Sequence, residues 1–140
     1  MWYEMKIYFA GSVTGGRDDV VVYAKLINHL KINNEVLTEH LGNSNLSSYG
    51  ENNLSPDAIY QRDVDWIKEC DVLIAEVTQV SLGVGYEIAY AESLGKKIIC
   101  LYRPQSDRRL SAMISGNKKF TIRNYKTVDE AIRQIDILLK

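Results

Sequence analysis

The feature that most narrows the fold of this chain is the continuous apolar run Val72-Leu73-Ile74-Ala75, followed closely by Ser81-Leu82-Gly83-Val84-Gly85-Tyr86-Glu87 and a helix-like stretch from Ile88 to Leu94. An uninterrupted apolar run bounded by turn signals reads as a strand buried on both faces. Open α/β sheets place their ligand sites beyond the carboxyl ends of such strands. Glu87 is therefore expected there, near the first turn of a helix. Unpaired N–H groups and the positive end of the helix dipole would favour its ionised form. A carboxylate beside backbone-exposing glycines suits a nucleophile that needs close approach.

The flanking patterns alternate in the same manner. Lys6 to Ala10 reads as a strand, Gly11 to Asp19 as a glycine-rich loop, and Val20 to Lys31 as a helix with Tyr23, Leu26, Ile27 and Leu30 on its apolar stripe. Glu35 to Thr38 is a short strand. The long Asn-, Ser- and Gly-rich stretch from Glu39 to Ser55 reads as a loop, of a length often used for binding. Ser55 caps a helix opened by Pro56, with Ile59, Asp63, Trp66, Ile67 and Cys70 at helical spacing. Val72 to Val77 is the central strand, and Val84 to Leu94 the next helix, closed by Gly95. Ile98 to Tyr102 is a strand, Arg103 to Arg109 a loop, and Leu110 to Ile114 a short helix. Phe120 to Asn124 is a last strand and Val128 to Leu139 an amphipathic closing helix. Five strands alternating with about five helices imply an α/β protein with a doubly wound parallel sheet, Rossmann- or flavodoxin-like. Right-handed crossovers make 2-1-3-4-5 the expected strand order. The 140 residues are read as one catalytic domain, 1–140.

A formal net charge of -1 gives no field that would favour nucleic acid. Cys70 and Cys100, each beside an apolar run, read as buried thiols in a reducing compartment. Neither stands at metal-ligand spacing from His29 or His40, so no metal is expected. No run of about 18 apolar residues and no basic-then-apolar leader occurs, which points away from a membrane. The cytoplasm is the expected location, with the nucleus also open in a eukaryote.

Several constellations could carry chemistry. Tyr8-Phe9-Ala10-Gly11-Ser12-Val13-Thr14-Gly15-Gly16-Arg17 could present N–H groups to a phosphate, or simply be a turn that needs glycine. Gly11 and Gly16 have P-loop spacing, but Arg17-Asp18 replaces the Lys-Ser/Thr pair. Gly83-x-Gly85 is half of a dinucleotide fingerprint, with Ile88 where the third glycine belongs. Glu87 and Asp63 sit on elements flanking one strand, so their carboxyl groups can converge. Glycosidic cleavage commonly uses two such groups, one attacking the anomeric carbon and one managing the leaving group's proton. Asp63 could equally be a solvated helix residue, with Asp65 competing for its role. His40 follows the second strand and could meet a base; His29 reads as surface. Trp66 reads as core. Arg103, Arg108 and Arg109 could meet phosphate or merely be exposed.

Taken in order along nearly the whole chain, Tyr8-Phe9-x-Gly11-Ser12, Gly15-Gly16-Arg17, Leu37-Thr38-Glu39-His40, Gln61-x-Asp63, Ala75-Glu76-Val77-Thr78-Gln79, Ser81 through Glu87, and Arg103-Pro104-Gln105-Ser106 with Leu110 through Ile114 resemble the 2′-deoxynucleoside 5′-phosphate N-hydrolases. These are relatives of the nucleoside 2-deoxyribosyltransferases. The resemblance implies hydrolysis of a deoxynucleoside monophosphate to free base and 2-deoxyribose 5-phosphate, with no cofactor. It implies Glu87 as a nucleophile forming a covalent sugar ester, Asp63 as the second acid and Tyr8 as a neighbour of sugar and nucleophile. Ser12, Gly15, Gly16, Arg17, Ser81, Gly83 and Gly85 are implied around the substrate, with His40 near the base. Ser111 and Met113 are implied to reach the site of a neighbouring subunit in a homodimer. Thr14 departs from the pattern, standing where animal members carry an arginine. Other readings are a deoxyribosyltransferase, a CMP-type N-glycosidase and, further off, a flavodoxin-like FMN binder. A phosphoacceptor receiver domain is nearly excluded, because Ala10-Gly11-Ser12 replaces its acidic cluster.

Overall fold

A computed structural model describes residues 3–13, 19–43 and 53–140. Thr14, Gly15, Gly16 and Arg17, and the middle of the loop expected from Glu39 to Ser55, lie outside the described residues. The elements are β1 (Lys6–Ala10), α1 (Val20–Leu30), β2 (Glu35–Val36), a 3-10 turn (Glu39–Gly42), α2 (Pro56–Glu69), β3 (Val72–Glu76), α3 (Leu82–Ser93), β4 (Lys97–Tyr102), α4 (Ala112–Ser115), β5 (Thr121–Asn124) and α5 (Val128–Leu138). The strands form one parallel five-stranded sheet of order β2-β1-β3-β4-β5, the expected order.

Strand alternation divides the core into two layers. Ile7 and Phe9 of β1 pack with Val72 and Ile74 of β3 against Tyr23, Leu26 and Ile27 of α1 and Ile135 of α5. Tyr8 and Ala10 face the opposite way, with Leu73 and Ala75, toward Ile67 of α2 and Val84 and Ile88 of α3. All five residues of β3 are buried, as a strand covered on both faces requires. No helix among the described residues is long and apolar enough to cross a membrane.

Local chemistry sets the element ends. Ser55 Oγ accepts from the Ala58 N–H, with Pro56 behind it, and so starts α2 as expected. Gly95, at φ +72°, ends α3, and the Lys96 N–H returns to the Ala91 carbonyl. Gly11 is dictated by contact, since a Cβ there would lie 2.9 Å from the Tyr23 ring. That ring's hydroxyl accepts from the Ser12 N–H at 3.0 Å.

Several boundaries differ from the sequence reading. β2 is shorter, because the Thr38 side chain takes over its pairing: Oγ1 accepts from the Phe9 N–H at 2.9 Å and donates to the Phe9 carbonyl at 2.6 Å. Residues Glu39–Gly42 coil into a 3-10 turn instead of opening a loop. α3 begins at Leu82, two residues early, because Ser81 Oγ caps the Val84 N–H. Gly83 and Gly85 are thus helical. α4 begins after Ser111, which caps the Met113 N–H, and so starts later than expected.

Candidate active site

Tyr8, Asp63 and Glu87 meet beyond the carboxyl ends of β1 and β3. The strand register turns Tyr8 toward α2 and α3, where its buried hydroxyl donates to Glu87 Oε2. Glu87 lies one turn into α3, and Asp63 lies on α2. All three line a cavity of about 170 Å³, together with Gly11, His40 and Ser81. A second groove of about 200 Å³, lined by Tyr60 and Tyr86, also reaches Asp63 and Glu87.

Burial dominates the electrostatics of this pair. It pushes the Glu87 carboxyl up to about 7, against the Tyr8 hydrogen bond; the Asp63 charge pushes the same way and Arg62 opposes it. The expected dipole-favoured ionisation is therefore overturned. Glu87 sits past the first turn, where the dipole has faded, and desolvation wins. Tyr8 is pushed far above the ordinary phenol range, by burial first and by the Glu87 and Asp63 charges next. It remains a proton donor.

Arg62 belongs to this site and was not identified from the sequence. Its Nε and Nη2 both donate to Asp63 Oδ1 at 2.9 Å, and its guanidinium lies 4.8 Å from the Trp66 ring centroid. The arginine-to-tryptophan spacing of four on one helix was the available signal. Trp66 is half-buried and meets the His40 ring at 5.9 Å, so it joins the cavity wall to the core.

The remaining expected residues divide between two places. The Ser12 hydroxyl is fully buried, with no hydrogen-bond partner among the described residues. Gly83 lies between the acid and the cap: a Cβ there would stand 3.9 Å from Ser81 Oγ and 4.0 Å from Glu87 Oε1. Gly85, Ser111 and Met113 instead line a separate apolar groove of about 540 Å³, which shares only Ser81 and Val84 with the Glu87 cavity. Arg108 and Arg109 border that groove.

Arg103 is engaged elsewhere, on the opposite face of the sheet. It donates to Asp19 Oδ1 at 2.7 Å and to the Tyr125 hydroxyl at 3.2 Å. Tyr125 in turn donates to Glu76, a wholly buried carboxylate that also accepts from the Thr78 N–H and hydroxyl. Burial pushes the Glu76 carboxyl upward while these donors pull it down. A lone acid in an apolar strand was the visible sign of this cluster.

The family model for nucleoside 2-deoxyribosyltransferases matches residues 7–131. A Tetraodon nigroviridis protein named 5-hydroxymethyl-dUMP N-hydrolase is 50% identical over 125 residues, covering 86% of this chain and 88% of that protein. The Homo sapiens protein of the same name is 44% identical over 124 residues, covering 86% and 71%. A Clostridium botulinum CMP N-glycosidase shares the fold at TM-score 0.60 and 24% identity, covering 94% of this chain and 98% of that one. The fold, the order of its strands and a match running through both β1 and α3 lead to one assignment: this chain belongs to the nucleoside 2-deoxyribosyltransferase family.

Proposed function

We propose that the chain is an enzyme hydrolysing the N-glycosidic bond of 2′-deoxynucleoside 5′-monophosphates, releasing free base and 2-deoxyribose 5-phosphate through an ester on Glu87. The observation that carries this reading is the Glu87 carboxylate, held by the Tyr8 hydroxyl on a cavity it shares with Asp63. Loss of the base builds positive charge at C1′, which a carboxylate stabilises before bonding to it. A deoxyribose lacks the electron-withdrawing 2′-hydroxyl, so this charge forms more readily. Tyr8 orients the nucleophile, and Asp63 manages the proton at the base and then at water. The Ser12 hydroxyl, without a partner among the described residues, and the capping Ser81 would supply donors on the phosphate side. Relatives named for hydrolysis of a deoxynucleotide support this over transfer between nucleosides. The buried free thiols Cys70 and Cys100 favour a reducing compartment such as the cytoplasm.

The test is release of base from a panel of deoxy- and ribonucleoside monophosphates and nucleosides, beginning with 5-hydroxymethyl-dUMP. Deoxynucleotides are expected to turn over, and the acid-quenched protein to carry a sugar-phosphate adduct on Glu87. Formation of dAMP from dGMP and excess adenine would identify a transferase instead. Preferential cleavage of CMP would identify a ribonucleotide enzyme.

The working unit is proposed to be a homodimer joined through the 540 Å³ groove. Leu82 is 95% exposed, Met113 81% and Val80 76%, an apolar surface costly to leave in water. A second copy on this face would bring its Ser111 beside the Ser81 edge of the catalytic cavity, in an isologous contact. Leu82→Glu is expected to halve the mass seen by light scattering from twice 15.9 kDa, and to raise KM for nucleotide about tenfold. A wild-type monomer with full activity would refute this arrangement.

A further inference from the structure

Glu76 is wholly buried, and the roles given to Tyr8, Asp63 and Glu87 make no use of it. It closes β3 in the same alternating register as Val72 and Ile74, which pack toward α1 and α5. Its partners form a closed ring. Oε1 accepts from the Thr78 N–H at 2.9 Å, and Oε2 accepts from the Thr78 hydroxyl at 2.7 Å and from the Tyr125 hydroxyl. Each of these hydroxyls also accepts from Arg103: Thr78 Oγ1 from the backbone N–H at 3.0 Å, and the Tyr125 oxygen from Nη1 at 3.2 Å.

The ring runs in one direction. The Arg103 N–H groups can only donate, so both hydroxyls direct their own protons to Glu76, and a carboxylate accepts them. Each member is thereby oriented by the next. An apolar residue here would avoid the desolvation cost of a buried acid, so stability alone is a poor account of Glu76. What the ring supplies is a fixed backbone. Glu76 holds the chain two residues further on, by the N–H and the hydroxyl of Thr78 together. Thr78 is the last buried residue before α3, and Val80 beyond it stands in solvent. Ser81 follows, capping α3 and lining the Glu87 cavity. Glu87 has its own anchor in the Tyr8 hydroxyl, so a shift in this link falls first on Ser81.

We infer that Glu76 and Thr78 are positioning residues for Ser81: by fixing the turn out of β3 they hold the Ser81 hydroxyl where the phosphate of the nucleotide binds, and so set nucleotide affinity from the far face of the sheet. This deepens the N-glycosidase reading above and rests on it.

The experiment measures steady-state base release from 5-hydroxymethyl-dUMP by wild type, Thr78→Val, Thr78→Ser and Tyr125→Phe, and by Ser81→Ala alone and combined with Thr78→Val or Tyr125→Phe. Thr78→Val keeps the side chain's shape and removes its hydroxyl; it is expected to raise KM about tenfold and to lower kcat less than about threefold. Thr78→Ser, which keeps the hydroxyl, should restore KM. Tyr125→Phe changes a residue lining neither the Glu87 cavity nor the 540 Å³ groove, and should raise KM by a smaller factor. In the Ser81→Ala background Thr78→Val should add less than about twofold, because residues that act through one another are not additive. Equal effects in both backgrounds would overturn the inference, as would an unchanged KM or a loss confined to kcat. A change in light-scattering mass on Thr78→Val would also overturn it, since Thr78 borders the 540 Å³ groove as well. If Thr78→Val does not fold, Tyr125→Phe in the two Ser81 backgrounds reads the same coupling. A wild-type enzyme that releases no base from any deoxynucleotide would sink the N-glycosidase reading, and this inference with it; an active wild type with additive variants sinks the inference alone.

Discussion

Replacing Glu87 by glutamine is expected to lower base release by about 10⁴-fold or more while making the folded protein more stable at alkaline pH. The first effect follows from losing the nucleophile, because an amide keeps the shape and the Tyr8 contact but cannot form the ester. The second follows from burial. The folded carboxyl titrates near 7, above its ordinary value of 4.5, so between those values the folded state holds a proton that the unfolded chain has lost. Stability therefore falls as pH rises through that window and stays lower above it. Glutamine never carries this charge, so at pH 8 the variant should exceed wild type by on the order of 2–3 kcal/mol. Near pH 4 the difference should vanish. Denaturant unfolding at the two pH values, beside a base-release assay, measures both effects; an active variant, or a stability difference independent of pH, would contradict the role given to Glu87.

Asp63→Asn should reduce kcat by about 10²–10³-fold, the range for loss of a positioned acid–base group. It should also move the pH profile. The Asp63 charge is one of the causes holding the Glu87 carboxyl high, so neutralising it lets Glu87 ionise at lower pH. Activity in wild type is expected to fall as pH drops below about 7, as the nucleophile becomes protonated. In the variant, the residual activity should persist to lower pH. The acid limb of kcat/KM reads this directly. A limb that stays in place would separate Asp63 from the titration of Glu87.

The doubly wound sheet was legible because its strands are short apolar runs and its helices carry explicit stops and starts. Val72 to Ala75 admits little besides a central strand, Ser55-Pro56 opens a helix, and Gly95 closes one. Asp63 and Glu87 were also accessible, since periodicity placed each on an element beside one strand end, whereas the role of Tyr8 came only with the family resemblance. What escaped depended on side chains that override the backbone pattern. The Thr38 hydroxyl substitutes for ladder pairing and cuts β2 short. The Ser81 cap pulls both glycines into α3, leaving Glu87 deeper than its sequence position suggested. Arg62 lies beside Asp63 in sequence and off the apolar stripe, so only its ion pair and the ring at Trp66 reveal it. The cluster of Asp19, Glu76, Arg103 and Tyr125 draws on four separate segments, a union that no local spacing encodes.

That cluster also bears on how small a working version of this domain could be made. β5 contributes only four residues, none of them fully enclosed, and looks dispensable beside the strands that hold the catalytic groups. Yet Tyr125, the residue directly after it, brings the hydroxyl that satisfies the interior acid on the central strand. A protein trimmed before that point would keep Tyr8, Asp63 and Glu87 but take one of the three donors from the buried Glu76 carboxyl, leaving it the Thr78 N–H and hydroxyl, at a cost of about 1–3 kcal/mol. The edge strand is thus what makes the middle of the sheet tolerable, and a minimal catalytic module has to reach at least as far as Tyr125.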